Sequence, residues 1–342
     1  MAFLPRSCPW PACPAHDGSA AFRFQRRGCF RRKCDGAVVP RFSCCTCGRR
    51  FSRQTFRFNY RWWRPHVHHE LFRLFTAKVT MRQTARITGL ARETVARRMR
   101  SMGEQCRAVQ EELLHGGHPR LRGTYLLDEL ETFETDRRLR PVTVPVLLQR
   151  GSLFVVYACA GPLAPRGRLD AWHARRLEEE TARSGRRRCG SKVAVRKALE
   201  YLDRALVSRS SLNLTTDRKS SYPGLVRAIF SRRFGSHARE SSKRRRDRGN
   251  PLFPVNHTLA MMRDGISRLV RRSWAASKLR ARLEDHIWIW VAYRNYVRGI
   301  TVDAPRTTPA MVAGIAQRPW TSREIFRWKW QGRMPGGMRP AE

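Results

Sequence analysis

The feature that most limits how this chain can fold lies near its start, where seven of the ten cysteines fall between Cys8 and Cys47. The other three, Cys106, Cys159 and Cys189, are scattered. A secreted disulfide scaffold is small and spreads its pairs through the fold, whereas cysteines bunched at the head of a long chain point to metal. Four residues separate Cys8 from Cys13 and two separate Cys44 from Cys47, the latter inside RFSCCTCGRRFS. This is knuckle chemistry: two thiolates on a tight turn reach one Zn²⁺ at about 2.3 Å, and a second knuckle completes the tetrahedron. Gly48, directly after the second pair, lets the turn bend back toward the metal. The 30 residues between Cys13 and Cys44 leave room for a hairpin. Residues 1–60 are therefore expected to form a small domain around a structural Zn²⁺ held by Cys8, Cys13, Cys44 and Cys47. Cys29 and Cys34 repeat the wider spacing and Cys45 lies inside the last knuckle, so a different quartet or a second partial site draws on the same chemistry. His66, His68 and His69 read as surface or helix-start residues.

Charge sets the partner. With 69 Lys+Arg against 27 Asp+Glu, the formal net charge is +42, which repels itself unless a polyanion is present. At 41% hydrophobic, the 342-residue chain can nevertheless bury a core, enough for two or three domains. A membrane surface is the weaker candidate polyanion. No stretch approaches the ~18–20 consecutive apolar residues of a spanning helix, and MAFLPRSCPW lacks the charged and apolar regions of a secretory signal. Nucleic acid fits a basic surface spread along the whole chain.

Residues 61–118 read as helical. In TMRQTARITGLARETVARRMRSM (80–102), Thr80 is an N-cap, and Ala85 and Ile87 are the small and apolar positions of a first helix. Gly89 sits four residues after Ala85, where a turn between crossed helices needs positive φ or no side chain. Leu90, Val95 and Met99 supply the buried face of a second helix. Thr94, Arg97 and Arg98 lie at i, i+3 and i+4 on its other face, with Arg92 near its start. That face suits phosphates and guanine edges in a major groove, so the segment is expected to be a helix-turn-helix that binds DNA. Upstream, RFNYRWWRPH (57–66) mixes aromatics and arginines, fit either to pack beneath this domain or to touch a DNA backbone.

Residues 119–300 alternate short apolar runs with helical stretches, the pattern of a mixed α/β domain. In a chain this poor in acids, their placement carries information. TYLLDELETFE (124–134) runs Tyr125, Leu126 and Leu127 into Asp128, a carboxylate on a buried strand. VTVPVLLQ (142–149) and SLFVVYACA (152–160) follow as strands, making an antiparallel meander. VAVRKALEYLDRALV (193–207) has helical periodicity. In SLNLTTDRKSSYPGLVRAIF (211–230), Asp217 ends another strand and Tyr222-Pro223 opens a helix. PVNHTLAMMRDGISRLVRR (254–272) starts a helix near Asn256. Carboxylates at strand ends, gathered from distant segments, are what two-metal phosphoryl chemistry needs: Mg²⁺ takes hard oxygen ligands, and two ions about 3.5–4 Å apart clamp the attacking and leaving oxygens. The helix in 277–298, with Leu279, Leu283, Ile287, Trp290 and Val297 on one face, reads as core packing. Two polybasic stretches, 184–192 and 241–249, read as phosphate-touching loops, and 301–342 as an irregular basic tail.

Taken in order, the motifs RFSCCTCGRRFS, LLDELETF, TTDRKSSYPGL and VNHTLAMMRDGISRLVRR resemble those of bacterial insertion-sequence transposases, specifically the insertion-element-one class and the relatives that carry Asn as their third site residue. The resemblance covers about residues 1–300. It implies a zinc ribbon (1–60), a helix-turn-helix domain (61–118) and a ribonuclease-H-like catalytic core (119–300). The family's two aspartates fall on Asp128 and Asp217, and its third acidic position falls on Asn256, 39 positions after Asp217. A basic residue seven further on falls on Arg263, two helical turns along the same face, where it meets a phosphate. The implied cofactors are structural Zn²⁺ and a catalytic Mg²⁺ or Mn²⁺ held by Asp128, Asp217 and Asn256. An amide oxygen coordinates Mg²⁺ but brings no negative charge. Asp264, eight residues on from Asn256 and roughly 12 Å along a helix, is too distant to substitute.

The implied activity is transposition: binding of an element's terminal inverted repeats as double-stranded DNA, strand cleavage, and transfer of the 3′-OH to target DNA. The implied assembly is a homo-oligomer of at least two protomers in the DNA complex, acting in the cytoplasm at the bacterial nucleoid. The alternative is a catalytically inactive relative that regulates by binding DNA, and Asn256 is its main support. A plain nuclease shares the core chemistry. A recombinase with a Ser or Tyr nucleophile does not fit, because neither Tyr222 nor Tyr293 sits in an arginine/histidine constellation.

Overall fold

The structure is a computed structural model that describes residues 3–33, 36–56, 60, 62, 64–116, 121–208, 210–241, 243–245, 247–270 and 274–328. Cys34, half of the 57–66 aromatic stretch and the tail beyond 328 lie outside the described residues. The chain divides into two compact units: one takes the chain up to His68 and rejoins it from Arg323, the other runs His69–Ser322.

The first unit holds a short helix α1 (Pro14–Asp17) and an antiparallel sheet ordered β1 (Phe24–Arg31), β2 (Val38–Cys44), β3 (Arg50–Ser52). The sheet is too small to bury much on its own. Its core is Ala15, Phe42 and Phe51 together with Cys8, Cys13 and Cys44, flanked by Phe3, Phe22, Phe24 and Phe56.

The second unit takes up α2 (His68–Thr76) from its second residue and continues with α3 (Met81–Thr88) and α4 (Arg92–His115). Thr80 caps α3 as expected. Its hydroxyl accepts from the Gln83 N–H, and the Gln83 side chain accepts from the Thr80 N–H. Gly89, at φ 64°, ends α3 in the left-handed region, and α4 starts three residues later. Ile87 departs from its expected place: it is 56% exposed, and Thr84 is the buried residue of α3.

A mixed sheet follows, ordered β6-β5-β4-β8-β9, with β7 beside β5. Strands β4 (Thr124–Phe133), β5 (Pro141–Gln149) and β6 (Phe154–Ala158) form the expected antiparallel meander. β7 is Gly161–Pro162. After helices α5 (Ala171–Ser184) and α6 (Ser191–Ala205), strand β8 (Leu212–Asp217) joins parallel to β4. Helix α7 (Tyr222–Phe230) then leads to β9 (Phe234–Glu240), parallel to β8. The sheet is thus part antiparallel and part parallel, a mixed α/β architecture. Every interior residue of β5 is buried, which is why VTVPVLLQ reads as a continuous apolar run and not as an alternation. Helix α6 packs on one side of β5, and α8 (Phe253–Gly265) packs on β4 and β5.

Helix α9 (Arg280–Ala292) runs against α4. On α4, Val95, Met99, Met102, Cys106 and Val109 recur every three or four residues and are all buried. On α9 the stripe Leu283, Ile287, Trp290 is buried as expected, while Leu279 precedes the helix and is exposed. The last turn widens to a π-helix over Tyr293–Val297. There Asn295 takes the Val155 N–H on its Oδ1 (2.9 Å), and Gln110 donates to the Val155 and Val156 carbonyls, so the outer edge of β6 is closed by buried amides.

The two helices approach tightly at Gly103, where a Cβ would stand 2.5 Å from the Asp285 carbonyl oxygen and 2.6 Å from its Cα. Both are backbone atoms, which cannot swing aside. Gly103→Ala is therefore expected to lower stability by about 1–3 kcal/mol or more through overpacking. Chemical denaturation of the full chain measures it, and an unchanged midpoint would contradict the packing described.

Residues 301–328 are more ordered than an irregular tail. They carry α10 (Pro309–Val312), capped by Thr308, and a further helix at Ser322–Arg327, and they bury Ala310, Ile315, Ile325 and Phe326. The apolar residues scattered among Pro and Gly account for the difference. Among the described residues no helix is long and apolar enough to cross a membrane.

Candidate functional site

The four cysteines singled out by spacing converge. Their sulfurs all lie within 4.8 Å of one another, with Cys8–Cys47 at 3.7 Å and Cys13–Cys44 at 3.9 Å. A tetrahedron with 2.3 Å metal–sulfur bonds has edges of about 3.8 Å, so the cage already has the dimensions of a Zn²⁺ site. Cys29 and Cys45 are exposed and take no part in it. The Cys8–Cys13 turn is closed by the Cys13 N–H on the Trp10 carbonyl, and the Cys44–Cys47 turn by the Gly48 N–H on the Cys44 carbonyl. Gly48, at φ 70°, makes the second closure without strain. Burial works to raise the Cys44 thiol pKa, but the N–H groups of Cys47 and Thr46 outweigh it and draw the value down to about 7. Burial pushes the Cys8 thiol up instead.

In the second unit, Asp128 and Asp217 are brought side by side by sheet pairing. The parallel ladder of β4 and β8 runs from Thr124–Asn213 to Leu127–Thr216, so the two aspartates stand one step past its last pair, on the same face. Neighbouring strands are about 4.8 Å apart. Asn256, in the first turns of α8, and Arg263, seven residues on, line the same cleft of about 610 Å³ as both aspartates, together with Arg244 and Asn250. The Arg263 guanidinium donates to the Glu131 carbonyl at 3.2 Å. Asp264 does not line the cleft. It is 86% exposed and sits 3.5 Å from Lys78. Glu240 ends β9 in register with Asp217, and its carboxylate is taken by Arg244 at 3.2 Å.

Directly behind the aspartates lies a group that spacing alone did not reveal. The pleat turns Glu129 to the opposite face from Asp128. There its carboxylate is surrounded by donors: Lys219 Nζ and the Tyr222 hydroxyl (2.7 Å) on Oε1, and the hydroxyls of Thr143 (2.6 Å) and Ser191 (2.8 Å) on Oε2. Burial opposes the charge on Glu129, but the hydrogen bonds from Lys219, Thr143 and Tyr222 outweigh it and hold the carboxyl below its usual range. Burial and the adjacent Glu129 charge push the Tyr222 phenol far above its own range, so it remains a donor. The signal available in the sequence was the adjacent acid pair Asp128-Glu129 in an acid-poor chain, with Lys219 two residues after Asp217.

The expected DNA-facing residues of α4 separate. Arg92 and Arg97 are exposed and Thr94 is half-buried, with Arg97 within 3.5 Å of the Thr94 hydroxyl. Arg98 has to be corrected: it is 3% exposed and faces inward. Position 98 stands at i+3 from Val95 and precedes Met99, so it belongs to the buried stripe that continues to Met102 and Cys106. Both polybasic stretches lie outside strands and helices over most of their length: 185–190 joins α5 to α6, and the described part of 241–249 joins β9 to α8.

Known protein-family models and curated proteins give no match to the chain. Among solved structures, it is similar to the crystal structure of the catalytic domain of Mos1 mariner transposase, at 13% identity and a TM-score of 0.22, over 58% of this chain and 91% of that one.

Proposed function

We propose that this protein is a DNA transposase whose second unit is a ribonuclease-H-like core. On this reading it cleaves DNA strands at the ends of an insertion element and transfers them with divalent metal. The observation that carries the reading is the cleft itself, in which Asp128, midway along β4, and Asp217, at the end of the adjacent parallel strand β8, meet Asn256 and Arg263 of α8. The strand order β6-β5-β4-β8-β9, with β5 alone running against the other four, supports it.

Two carboxylates and an amide oxygen form a hard-oxygen donor set suited to Mg²⁺ or Mn²⁺. Such ions, when bound, polarise the attacking and leaving oxygens of a phosphodiester. The chain's own part is to hold those ligands together, to place Arg263 and Arg244 against phosphate charge, and to offer a cleft open enough for a strand. Zn²⁺ on the cysteine cage has a structural role, and the surrounding unit joins α3–α4 in holding double-stranded DNA. Two protomers bring two ends together.

The test is conversion of supercoiled plasmid to nicked circles by the full chain with Mg²⁺ or Mn²⁺. Nicking is expected to stop with EDTA and in Asp217→Ala. Nicking that survives in Asp217→Ala would place the chemistry elsewhere.

The two arginines of α4 make a paired prediction. Arg97→Ala is expected to weaken duplex binding and to reduce the slope of log K against log salt by about 1, with an unchanged melting temperature. Arg98→Ala is expected to lower the melting temperature first, because it truncates a buried side chain. If Arg98→Ala changed only the salt slope, the burial assigned to it would be wrong.

A further inference from the structure

We infer that the ion pair between buried Glu129 and partly exposed Lys219 positions the two candidate metal-binding carboxylates, acting through backbone N–H groups. The inference rests on the cleft being a metal site, as proposed above.

Each member of the pair serves one aspartate. The Glu129 N–H donates to Asp128 Oδ1 at 2.7 Å, and the Lys219 N–H donates to Asp217 Oδ1 at 3.2 Å. Their side chains meet on the far face of the sheet, where Lys219 Nζ bonds both Glu129 Oε1 and the Ser191 hydroxyl (2.7 Å). The place of this contact matters. The β4–β8 ladder ends at Leu127–Thr216, so backbone pairing no longer holds the strands together where the aspartates stand. Like charges on adjacent strands repel, most strongly before a cation arrives. One step past the last rung, the ion pair crosses from β4 to the turn after β8 and carries the tie that the ladder has given up. It is anchored on both sides: Thr143 of β5 and Ser191 of α6 hold one Glu129 oxygen, and Tyr222 of α7 holds the other. A carboxylate with four donors on one buried spot is more than packing of this strand pair requires, and it orients the two backbone amides that aim at the cleft.

The experiment is a Mn²⁺ titration of the zinc-loaded full chain, read by water-proton relaxation, alongside thermal melts. Lys219→Met keeps the aliphatic stem and removes the charge. It is expected to weaken Mn²⁺ binding by about 10–100-fold, the usual cost of losing a residue that orients metal ligands. Lys219→Arg, which keeps the cation, is expected to stay close to wild type. Val226→Ala in α7 removes buried apolar volume and none of the charges or hydrogen-bonding groups of the pair, so it lowers the melting temperature and leaves Mn²⁺ affinity intact. Should Lys219→Met fail to fold, the isosteric Glu129→Gln takes its place with the same expected loss. A folded Lys219→Met or Glu129→Gln that binds Mn²⁺ like wild type overturns the inference, as does an equal loss in Val226→Ala. Wild-type Mn²⁺ binding that persists in Asp217→Ala is a different failure: the metal-site reading itself is then wrong, and the positioning role falls with it.

Discussion

Cys44→Ser is expected to release Zn²⁺ and unfold the sheet of the first unit while leaving the second unit's helices and mixed sheet intact. Three of the six buried residues in that small core, Cys8, Cys13 and Cys44, are the sulfurs of the cage, so removing the metal removes the centre of the core. Structural Zn²⁺ contributes about 10–16 kcal/mol in isolated finger peptides, comparable to or larger than the whole ~5–15 kcal/mol stability of a typical domain. Aromatic packing among Phe3, Phe22, Phe24, Phe42, Phe51 and Phe56 cannot replace it, because much of that surface is only half-covered. Metal analysis should fall from one Zn²⁺ per chain toward zero, and limited proteolysis should cut within residues 1–60 first. Lowering the pH of the wild-type protein should act in the same direction, since the ligands bind as thiolates and protons compete with the metal. A variant that kept its Zn²⁺ and its protease resistance would place the metal on another quartet.

Asp128→Asn and Asp217→Asn are each expected to reduce single-turnover DNA cleavage by on the order of 10³-fold or more, with duplex affinity close to wild type. Each change preserves shape and removes a charged ligand. Metal stabilisation of the transferring phosphoryl group is worth several kcal/mol, and every ~1.4 kcal/mol is a factor of ten in rate. Affinity is expected to survive because, on the proposed reading, it comes from the basic surface, which one lost carboxylate does not weaken. Asn256→Ala should cost less, since the amide it removes carries no charge, and Asn256→Glu should tighten metal binding by adding one. Single-turnover rates at saturating protein separate chemistry from binding. Equal loss of both in the aspartate variants would mean that these residues support the fold instead of the reaction.

What was legible in the sequence follows the range of the physical signal. The cysteine quartet and Gly48 could be read because knuckle geometry is local. Asp128 and Asp217 could be read because a carboxylate at the end of an apolar run is conspicuous in a chain with so few acids. That they stand beside each other depends on β4 and β8 pairing in parallel across some ninety residues, which only the fold supplies. Glu129 was hidden by its neighbour: strand alternation sends it to the other face, and its partners come from β5, α6 and the segment after β8. Arg98 was misplaced because Thr94, Arg97 and Arg98 satisfy helical spacing just as Val95, Arg98 and Met99 do, and α4 turns out to be a long core helix against α9. Strand β9, in FGSHARE, has no apolar run to announce it, because it is exposed along most of its length and is held to β8 by backbone pairing and polar side chains.

The most direct measurement is cleavage of an end-labelled duplex carrying the DNA that flanks the gene, incubated with the full zinc-loaded chain and Mg²⁺ or Mn²⁺. The expected result is a metal-dependent nick that leaves a 3′-OH at the element boundary, absent with Asp217→Ala and followed by joining of that end to added target DNA. Tight, salt-sensitive binding of the same duplex with no cutting under any metal would contradict it and leave a DNA-binding regulator built on an inactive core.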